Sequence, residues 1–408
     1  MPDEQPPPLV SGADVEAAAE LLGDVVRRTP LEHSRALAER VGGPVWLKCE
    51  NLQRAGSFKI RGAYTRIARL TDAERARGVV AASAGNHAQG VALAARQLGA
   101  EATVFMPVSA PLPKVAATRG YGADVRLGGP TLTEALAAAL AHAEETGKVF
   151  IHPFDHPDVI AGQGTVGLEV LEQCPDVATV VVCTGGGGLV SGIAAAVKAR
   201  RPNVRVVAVQ AAAAAAFPAS LAAGHPVPLA SMSTMADGIA VGAPGDLTLA
   251  HVAGLVDEVR TVTEGDLSRA LLFCLERAKL VVEPAGVAAV AAVLADPEAF
   301  APPVVAVVSG GNIDPVLMLK VVQHGMAAAG RYLSLRVQVV DRPGSLAALL
   351  GELARLSANV LSVEHERTTP QLDVGEVEIS VVLETRGPDH ATEVLAALTS
   401  AGYAVRGG

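Results

Sequence analysis

The sequence lacks several features that mark broad classes of protein. Its 408 residues include 33 Lys and Arg against 42 Asp and Glu, and no basic cluster is long enough to bind a nucleic acid backbone. No uncharged apolar run reaches the length of a membrane span. The opening MPDEQPPPLV has neither the positive region nor the apolar region of a signal peptide. We therefore expect a cytoplasmic protein with a disordered tail over residues 1–13 and neither nucleic acid nor membrane as a partner.

The spacing of cysteine and histidine excludes the common metal and redox motifs. The cysteines are Cys49, Cys174, Cys183 and Cys274. None of them forms a C-x-x-C pair, and we expect reduced, mostly buried thiols. His87 has no second histidine at i+4, and His152 and His156 lie beside prolines in HPFDHP. No metal site is predicted from these residues.

Apolar strand-like segments alternate with helical segments over most of the chain. The candidate strands are 45–49, 78–83, 102–106, 123–127, 178–184, 204–209 and 304–309. Several show no polar alternation, which is typical of strands buried on both faces of a parallel sheet. Helices of ordinary length separate them, as in βαβ crossovers. The pattern predicts an α/β fold.

The pattern changes near residue 325, where QHGMAAAGR (323–331) is predicted to be a linker. Alternating strands are predicted at 332–340, 359–367, 376–384 and 403–406, with helices at 344–356 and 390–402. The order β-α-β-β-α-β predicts a small ferredoxin-like α+β domain over 331–408.

The segment GSFKIRGA (56–63) places Lys59 between two apolar residues at the start of a predicted helix. The commoner interpretation is a surface lysine whose stem packs while its ammonium reaches water. The alternative is a nucleophilic amine in a closed pocket, where desolvation keeps part of it neutral. This segment alone does not decide between them.

TGGGGLVSG (184–192) follows a predicted buried strand and begins a predicted helix. Its glycines and free helix N–H groups predict a phosphate site, with a structural turn as the alternative. A dinucleotide fits poorly, because Val190 replaces the third glycine of G-x-G-x-x-G and the next strand ends in Gln210. No Lys-Ser/Thr pair follows, as a P-loop requires. The pattern favours a small phosphorylated cofactor.

Two more loops follow predicted strands. ASAGNHAQG (82–90) could bind a carboxylate through Ser83, Asn86 and backbone N–H groups, although both side chains are also common helix caps. SGGN (309–312) puts Ser309 at the carboxyl end of a predicted parallel strand, as a ligand contact or a turn serine. A reactive lysine, a phosphate loop and such a serine together indicate pyridoxal 5'-phosphate, bound to Lys59 as a Schiff base.

Six segments resemble, in order, the motifs of the threonine ammonia-lyases (threonine dehydratases). They are GSFKIRGA, ASAGNHAQG, TGGGGL, MADGIAV (235–241), VVEPAG (281–286) and SGGN. These enzymes have the tryptophan-synthase-β-like fold, type II of the pyridoxal-phosphate enzymes. The resemblance covers about residues 20–325 and implies a catalytic domain of two α/β subdomains over 14–325. The C-terminal part, with DRPGSL (341–346) and ANV (358–360), resembles an ACT domain, a regulatory module that binds amino acids.

The resemblance also implies roles for individual residues. Those expected around the cofactor are Phe58, Lys59, Asn86, Gly185, Gly186, Gly187, Gly188, Leu189, Gly238, Glu283, Ser309 and Gly310. Those expected to hold the substrate carboxylate are Ser83, Ala84, Gly85, Asn86 and His87. Lys59 would take the substrate's α-proton. Asn86 would bond the ring 3-oxygen, and Ser309 the pyridine nitrogen.

The implied reaction converts L-threonine to 2-oxobutanoate and ammonia, and L-serine to pyruvate. An L-serine dehydratase, a hydroxyaspartate ammonia-lyase and a non-catalytic amino-acid sensor are the alternatives, and retention of Lys59 and the glycine loop disfavours the sensor. Ala84 stands where the related serine racemases carry a second acid–base serine, so elimination is expected rather than racemisation. Residues 211–216 are all alanine where the racemases bind a divalent metal. No divalent metal is therefore expected, and a monovalent ion held by carbonyls remains open.

In ACT domains, the positions matching Pro343, Gly344 and Asn359 contact an amino-acid effector across an interface. Helix initiation is the alternative for Pro343 and Gly344. We expect isoleucine as an inhibitor, with valine as a possible activator. Because ACT modules usually pair, a homo-oligomer, either dimer or tetramer, is expected.

Overall fold

The computed structural model describes residues 8–367 and 372–407. The chain divides into two compact units, with the boundary between Pro315 and Val316. Within the described ranges, none of the helices is both long enough and apolar enough to span a bilayer.

The described part of the first unit contains ten strands and thirteen α-helices. The strands are Leu31–His33 (β1), Val45–Cys49 (β2), Val79–Ala82 (β3), Ala102–Met106 (β4), Asp124–Leu127 (β5), Val149–Phe150 (β6), Thr179–Cys183 (β7), Arg205–Ala211 (β8), Glu258–Val262 (β9) and Val304–Val308 (β10). The helices are Gly12–Leu22 (α1), Arg35–Val41 (α2), Lys59–Ala68 (α3), Asp72–Arg77 (α4), Asn86–Gln97 (α5), Leu112–Gly120 (α6), Leu132–Thr146 (α7), Pro157–Gln173 (α8), Gly188–Arg200 (α9), Phe217–Ala223 (α10), Asp246–Leu255 (α11), Glu264–Phe273 (α12) and Ala288–Ala295 (α13).

Two sheets organise this unit. The larger has the strand order β1-β2-β10-β7-β8-β9, and the smaller β5-β4-β3-β6. All neighbouring strands are parallel except β1 and β2. Strands β3, β4, β7 and β10 are buried along their whole length, as runs without polar alternation predict. The predicted α/β fold is confirmed, with the seven predicted strands present within two residues at each end.

The sheet order brings together loops that are distant in sequence. Strands β2, β10 and β7 are consecutive neighbours in the larger sheet and run parallel. Their carboxyl ends therefore open at one edge, where α/β folds bind ligands. The chain leaves these three strands toward Lys59, the SGGN segment and the TGGGG loop respectively.

The second unit begins with a helix and continues as an antiparallel α+β domain. Its elements are Pro315–Ala328 (α14), Tyr332–Val340 (β11), Ser345–Arg355 (α15), Asn359–Glu366 (β12), Glu376–Glu384 (β13), Pro388–Ser400 (α16) and Ala404–Gly407 (β14). The sheet order is β12-β13-β11-β14. Mainly leucine and valine side chains from β11, β13, α15 and α16 form one buried core. The predicted β-α-β-β-α-β order is confirmed.

Two predicted boundaries are wrong. The linker predicted over 323–331 is helical as far as Ala328, as the last part of α14. The tail predicted over 1–13 is too long, because Val10 is buried and its N–H donates to His251 Nε2 at 2.8 Å. Ser11 caps α1 in a capping box with Asp14. Residues 1–7 of the predicted tail lie outside the described residues.

Candidate active site

Lys59 begins α3 at the edge where the three parallel strands end. The chain just before it is clipped to the SGGN segment, since Ser57 and Gly310 form an isolated β-bridge. The N–H of Phe58 also donates to the carbonyl of Ser309 at 3.2 Å. These bonds fix the start of α3 relative to the end of β10.

The Lys59 ammonium does not reach out along the surface. Its Nζ donates to the carbonyl of Pro153 at 2.8 Å and lies 5.1 Å from the centroid of the Phe58 ring. Burial lowers the pKa of Lys59 to about 8, against smaller opposite effects of Cys183 and Glu283. A measurable fraction of this amine is therefore neutral near pH 7. Of the two sequence interpretations, the geometry favours the reactive amine.

The TGGGG loop leaves little room for side chains. A Cβ on Gly186 would collide with the Phe154 ring, and one on Gly187, whose φ is +94°, would lie 2.7 Å from Phe217 Cζ. The loop runs into the first turn of α9, whose N–H groups have no carbonyl partner within the helix. Backbone N–H groups thus line a cradle suited to a phosphate.

Unpaired polar atoms lie beside this cradle. Both polar atoms of the Gln163 amide are buried without a hydrogen-bond partner, and so is the hydroxyl of Ser191. Gln163 Oε1 lies 2.9 Å from the position that a Cβ on Gly188 would take. Because buried polar groups are normally satisfied, these atoms indicate a polar ligand or water next to the glycines. The residues present therefore fit the phosphate of pyridoxal phosphate.

Ser309 and Glu283 are both buried, at 3 % exposed, and Glu283 is one of the groups that oppose the lowering of the Lys59 pKa. The thiol of Cys183 is 3.0 Å from the hydroxyl of Ser309. Burial raises the pKa of Cys183 to about 11, so no thiolate faces Ser309 at neutral pH. Burial, reinforced by Asp237, raises the pKa of Glu283 to about 7. At neutral pH the Cys183 thiol beside Ser309 is therefore neutral, and the Glu283 carboxyl is only partly ionised.

The ASAGNHAQG segment forms the turn into α5. Gly85 precedes the helix and its N–H donates to Ser83 Oγ at 3.2 Å. Asn86 Nδ2 donates to Glu283 Oε1 at 2.5 Å. His87 is buried with its Nε2 2.9 Å from the carbonyl of Ile151, and burial lowers its pKa to about 3. Because His87 is neutral, it can fix this turn but cannot neutralise a bound anion. An anion at this turn would be bound by backbone N–H groups and by a cation from another segment.

One such cation was missed by the sequence analysis. The Lys114 ammonium lies 3.8 Å from the position of a Cβ on Gly85, and it forms an ion pair of 2.6 Å with Asp237. Lys114 is buried, whereas Asp237 and the adjacent Gly238 are exposed. No signal in the sequence connects residue 114 with residue 237, because only the fold brings them together.

The HPFD segment (152–155), where the sequence predicts a loop and no metal site, also contributes to the candidate site. It supplies the carbonyl of Pro153 to Lys59 and the ring of Phe154 to the glycine loop. His152 Nδ1 accepts the N–H groups of Phe154 and Asp155 at 3.3 and 2.7 Å, which fixes the turn. Pro153 within this segment and Pro157 shortly after it were the available signal, but they indicate only a turn.

The residues expected to bind an effector lie far apart within one chain. Pro343 and Gly344 follow β11, whose last residue Val340 pairs with Glu376 at the start of β13. Asn359 pairs with Glu384 at the other end of β13. At about 3.3 Å per residue, these ends are about 26 Å apart. A single site that uses both places must take them from two copies of the chain.

Comparison with known proteins gives matches in both units. The family model described as "Pyridoxal-phosphate dependent enzyme" matches residues 22–310, and the ACT domain model matches 333–399. The chain is 48% identical to an L-threonine ammonia-lyase of Thermotoga maritima, over 98% of this chain and 99% of that one. The solved structure of a T.th. threonine deaminase is 42% identical with a TM-score of 0.71, over 74% of this chain and 99% of that one. The structure of maize serine racemase is 36% identical with a TM-score of 0.73, over 79% and 99%.

Proposed function

We propose that this chain, which belongs to the family of pyridoxal-phosphate dependent enzymes and carries an ACT domain, dehydrates and deaminates L-threonine to 2-oxobutanoate and ammonia. The observation that carries the proposal is a partly buried amine with a depressed pKa beside a glycine cradle for phosphate. The near full-length similarity to L-threonine ammonia-lyases supports the choice of substrate.

Pyridoxal phosphate, when bound, supplies the electron sink that makes the substrate's α-carbon acidic. Lys59 then removes the α-proton, because burial keeps its amine partly neutral and able to act as a base. The backbone N–H groups of residues 185–189 would hold the phosphate. The turn at residues 83–87 would orient the substrate carboxylate. Phe58, Gly238 and Gly310 would complete the surroundings of the cofactor.

The polar environment at Ser309 favours elimination. A serine hydroxyl does not hold the pyridine nitrogen protonated as a carboxylate would, and the neighbouring Cys183 thiol is neutral. A weaker electron sink favours rapid loss of the β-hydroxyl over reprotonation. Ala84 offers no second acid or base, which also disfavours racemisation. These features support a lyase over a racemase.

The test of this function is the initial rate of 2-oxobutanoate release from L-threonine by purified protein supplied with pyridoxal phosphate. Pyruvate release from L-serine and oxaloacetate release from 3-hydroxyaspartate are measured beside it. We expect threonine to give the highest kcat/KM, with serine as a slower side substrate. A higher value for serine or hydroxyaspartate would replace the proposed substrate and leave the cofactor site intact.

We propose that Lys114 adds positive charge next to Gly85, at the site expected to bind the substrate carboxylate. Substituting Lys114→Met is expected to raise KM for L-threonine by about tenfold and lower kcat less, since a charge-assisted hydrogen bond is worth about 1.5–3 kcal/mol. Steady-state kinetics with L-threonine measure both parameters. Lys148→Met, which removes a lysine paired with Glu101 in the smaller-sheet region, is the control. An unchanged KM in Lys114→Met would remove Lys114 from the substrate site.

We propose that the ACT domain binds isoleucine as an inhibitor, or valine as an activator, at an interface between two copies of the chain. The separation of Pro343 and Gly344 from Asn359 along β13 supports a site shared by two subunits, and hence a homo-oligomer. Isothermal titration of the full-length protein with isoleucine and valine tests the effector. If neither amino acid binds, both proposed effectors are wrong.

The four cysteines form no disulfide, which supports a cytoplasmic location.

A further inference from the structure

Asn312, the last residue of the SGGN segment, is connected to the cofactor site by two consecutive hydrogen bonds between side chains. Asn312 Nδ2 donates to Asn86 Oδ1 at 2.8 Å, and Asn86 Nδ2 donates to Glu283 Oε1 at 2.5 Å. We refer to Asn312, Asn86 and Glu283 as the amide chain. It joins the ends of two strands that belong to different sheets, β10 and β3.

One backbone carbonyl determines the direction of the amide chain. Asn312 Nδ2 also donates to the carbonyl of Ala55 at 2.7 Å. A carbonyl oxygen can only accept, so this bond fixes which end of the Asn312 amide is the nitrogen. Ala55 and Gly56 both have left-handed backbone, with φ of +59° and +71°, and a Cβ on Gly56 would collide with the Asn312 amide. The turn is therefore shaped around Asn312.

The orientation of the Asn312 amide determines the orientation of the Asn86 amide. Its Oδ1 is held by the Asn312 donor, so its Nδ2 must face the opposite way, toward Glu283 and Gly310. A Cβ on Gly310 would lie only 3.0 Å from this nitrogen. An amide nitrogen has two hydrogens. One is given to Glu283, and the second is available to a ligand.

We propose that Asn312 is a positioning residue that orients the Asn86 amide, so that an N–H rather than a carbonyl faces the ring 3-oxygen of the cofactor. The inference rests on the proposed role of Asn86 and extends it to Asn312, which is not among the residues expected to contact the cofactor. An Asn86 amide turned the other way would present its carbonyl oxygen to an electron-rich ring oxygen. It would also place that carbonyl against the Glu283 carboxyl.

The test is the nearly isosteric substitution Asn312→Asp. A carboxylate accepts but does not donate, so Asn86 must turn its own nitrogen toward residue 312. The expected result is that the absorption band of the ionised ring oxygen weakens while the shorter-wavelength band of the protonated ring oxygen grows. Cofactor affinity, measured by fluorescence titration of the apoprotein, is expected to fall about tenfold.

Asn51→Asp is the matched control. Asn51 lies against Gly311 and donates to a backbone carbonyl, that of Val281, at 3.1 Å. The control therefore introduces a carboxylate beside the same segment without altering a side-chain partner of Asn86. It is expected to keep the wild-type spectrum. An equal spectral change in both variants would overturn the proposal, because any nearby carboxylate would then suffice.

Two further variants keep the test decisive. Asn312→Ala lets the Asn86 amide adopt either orientation and is expected to give a spectrum between those of wild type and Asn312→Asp, even if the aspartate variant does not fold. Asn86→Ala separates the two levels of the argument. If it changes the bands while neither Asn312 variant does, the positioning role is wrong and the cofactor site stands. If Asn86→Ala itself leaves the bands unchanged, both assignments fail.

Discussion

Lys59→Ala is expected to abolish the reaction and to give a protein that remains colourless after incubation with pyridoxal phosphate and dialysis. The substitution removes both the amine that anchors the cofactor and the base that takes the α-proton. Loss of general-base catalysis alone lowers kcat by about a hundredfold to ten-thousandfold. Absorbance of the dialysed protein and the rate of keto-acid release measure the two roles separately.

Two control variants test whether the loss of activity and colour is specific to the Lys59 amine. Lys59→Arg keeps a positive charge beside the carbonyl of Pro153, but a guanidinium does not become neutral at working pH, so it should be equally inactive. Lys148→Ala removes a lysine that pairs with Glu101 and should stay yellow and active. A coloured, active Lys59→Ala protein would show that another amine does the chemistry.

Burial alone could not have identified the reactive lysine. The first unit contains two lysines that are more buried than Lys59, namely Lys114 and Lys48, and Lys48 lies in β2 and is 0% exposed. In the sequence, VWLKC is simply an apolar strand that contains a lysine. Lys48 donates to Glu169 at 2.5 Å, to Gln173 at 2.8 Å and to the carbonyl of Thr29 at 2.9 Å. It is a fully bonded structural cation, whereas Lys59 meets one neutral carbonyl.

Local signals were sufficient for the strands that lie inside the sheets. Apolar runs such as 102–106 and 304–309 correspond to strands buried along their length. The strands that were missed are β1, β6 and β9, which have few buried residues and lie at sheet edges. These three strands bury too little apolar surface to leave a run or an alternation in the sequence, although the edge strands β5, β12 and β14 were predicted.

The residues of the candidate site could be predicted from the sequence only where they lie in contiguous motifs. Lys59, Asn86, the glycine loop and Ser309 each follow a strand and carry a recognisable turn. Lys114, Pro153 and Asn312 act through partners 94 to 226 residues away in the chain, at Asp237, Lys59 and Asn86. Such contacts depend on strand order and on where helices end, which no local pattern specifies.

The helix that carries Lys59 rests on a buried network of four charged groups. Two residues after Lys59, the Arg61 guanidinium binds both carboxylate oxygens of Glu50, at 2.9 and 2.8 Å. It also pairs with Glu169 at 2.7 Å, and Glu169 pairs with Lys48. Burial by itself would raise the pKa of Glu50, but Arg61 and Lys48 hold it below its usual value. The two positive and two negative groups leave the network with no net charge.

Arg61→Leu is therefore expected to lower the free energy of unfolding of the first unit by about 3–5 kcal/mol, because it leaves a buried negative charge uncompensated. Urea titration of the full-length apoprotein, followed as the transition of the larger unit, measures the effect. Arg200→Leu is the control. It breaks a surface pair with Glu16 in which both side chains are at least 41% exposed, and it should change stability by no more than about 1 kcal/mol.

The double variant Glu50→Leu/Arg61→Leu tests whether charge balance is the cause. It removes one charge of each sign and leaves the neutral pair of Lys48 and Glu169, so it should be more stable than Arg61→Leu alone. A double variant that is no more stable would mean that Arg61 acts through packing. If charge balance is the cause, the same network also fixes the position of Lys59, because the bonds of Arg61 to Glu50 and Glu169 hold α3 in place without the cofactor. Arg61→Leu, which loses these bonds, should therefore bind the cofactor more weakly. The double variant should recover part of the lost cofactor affinity.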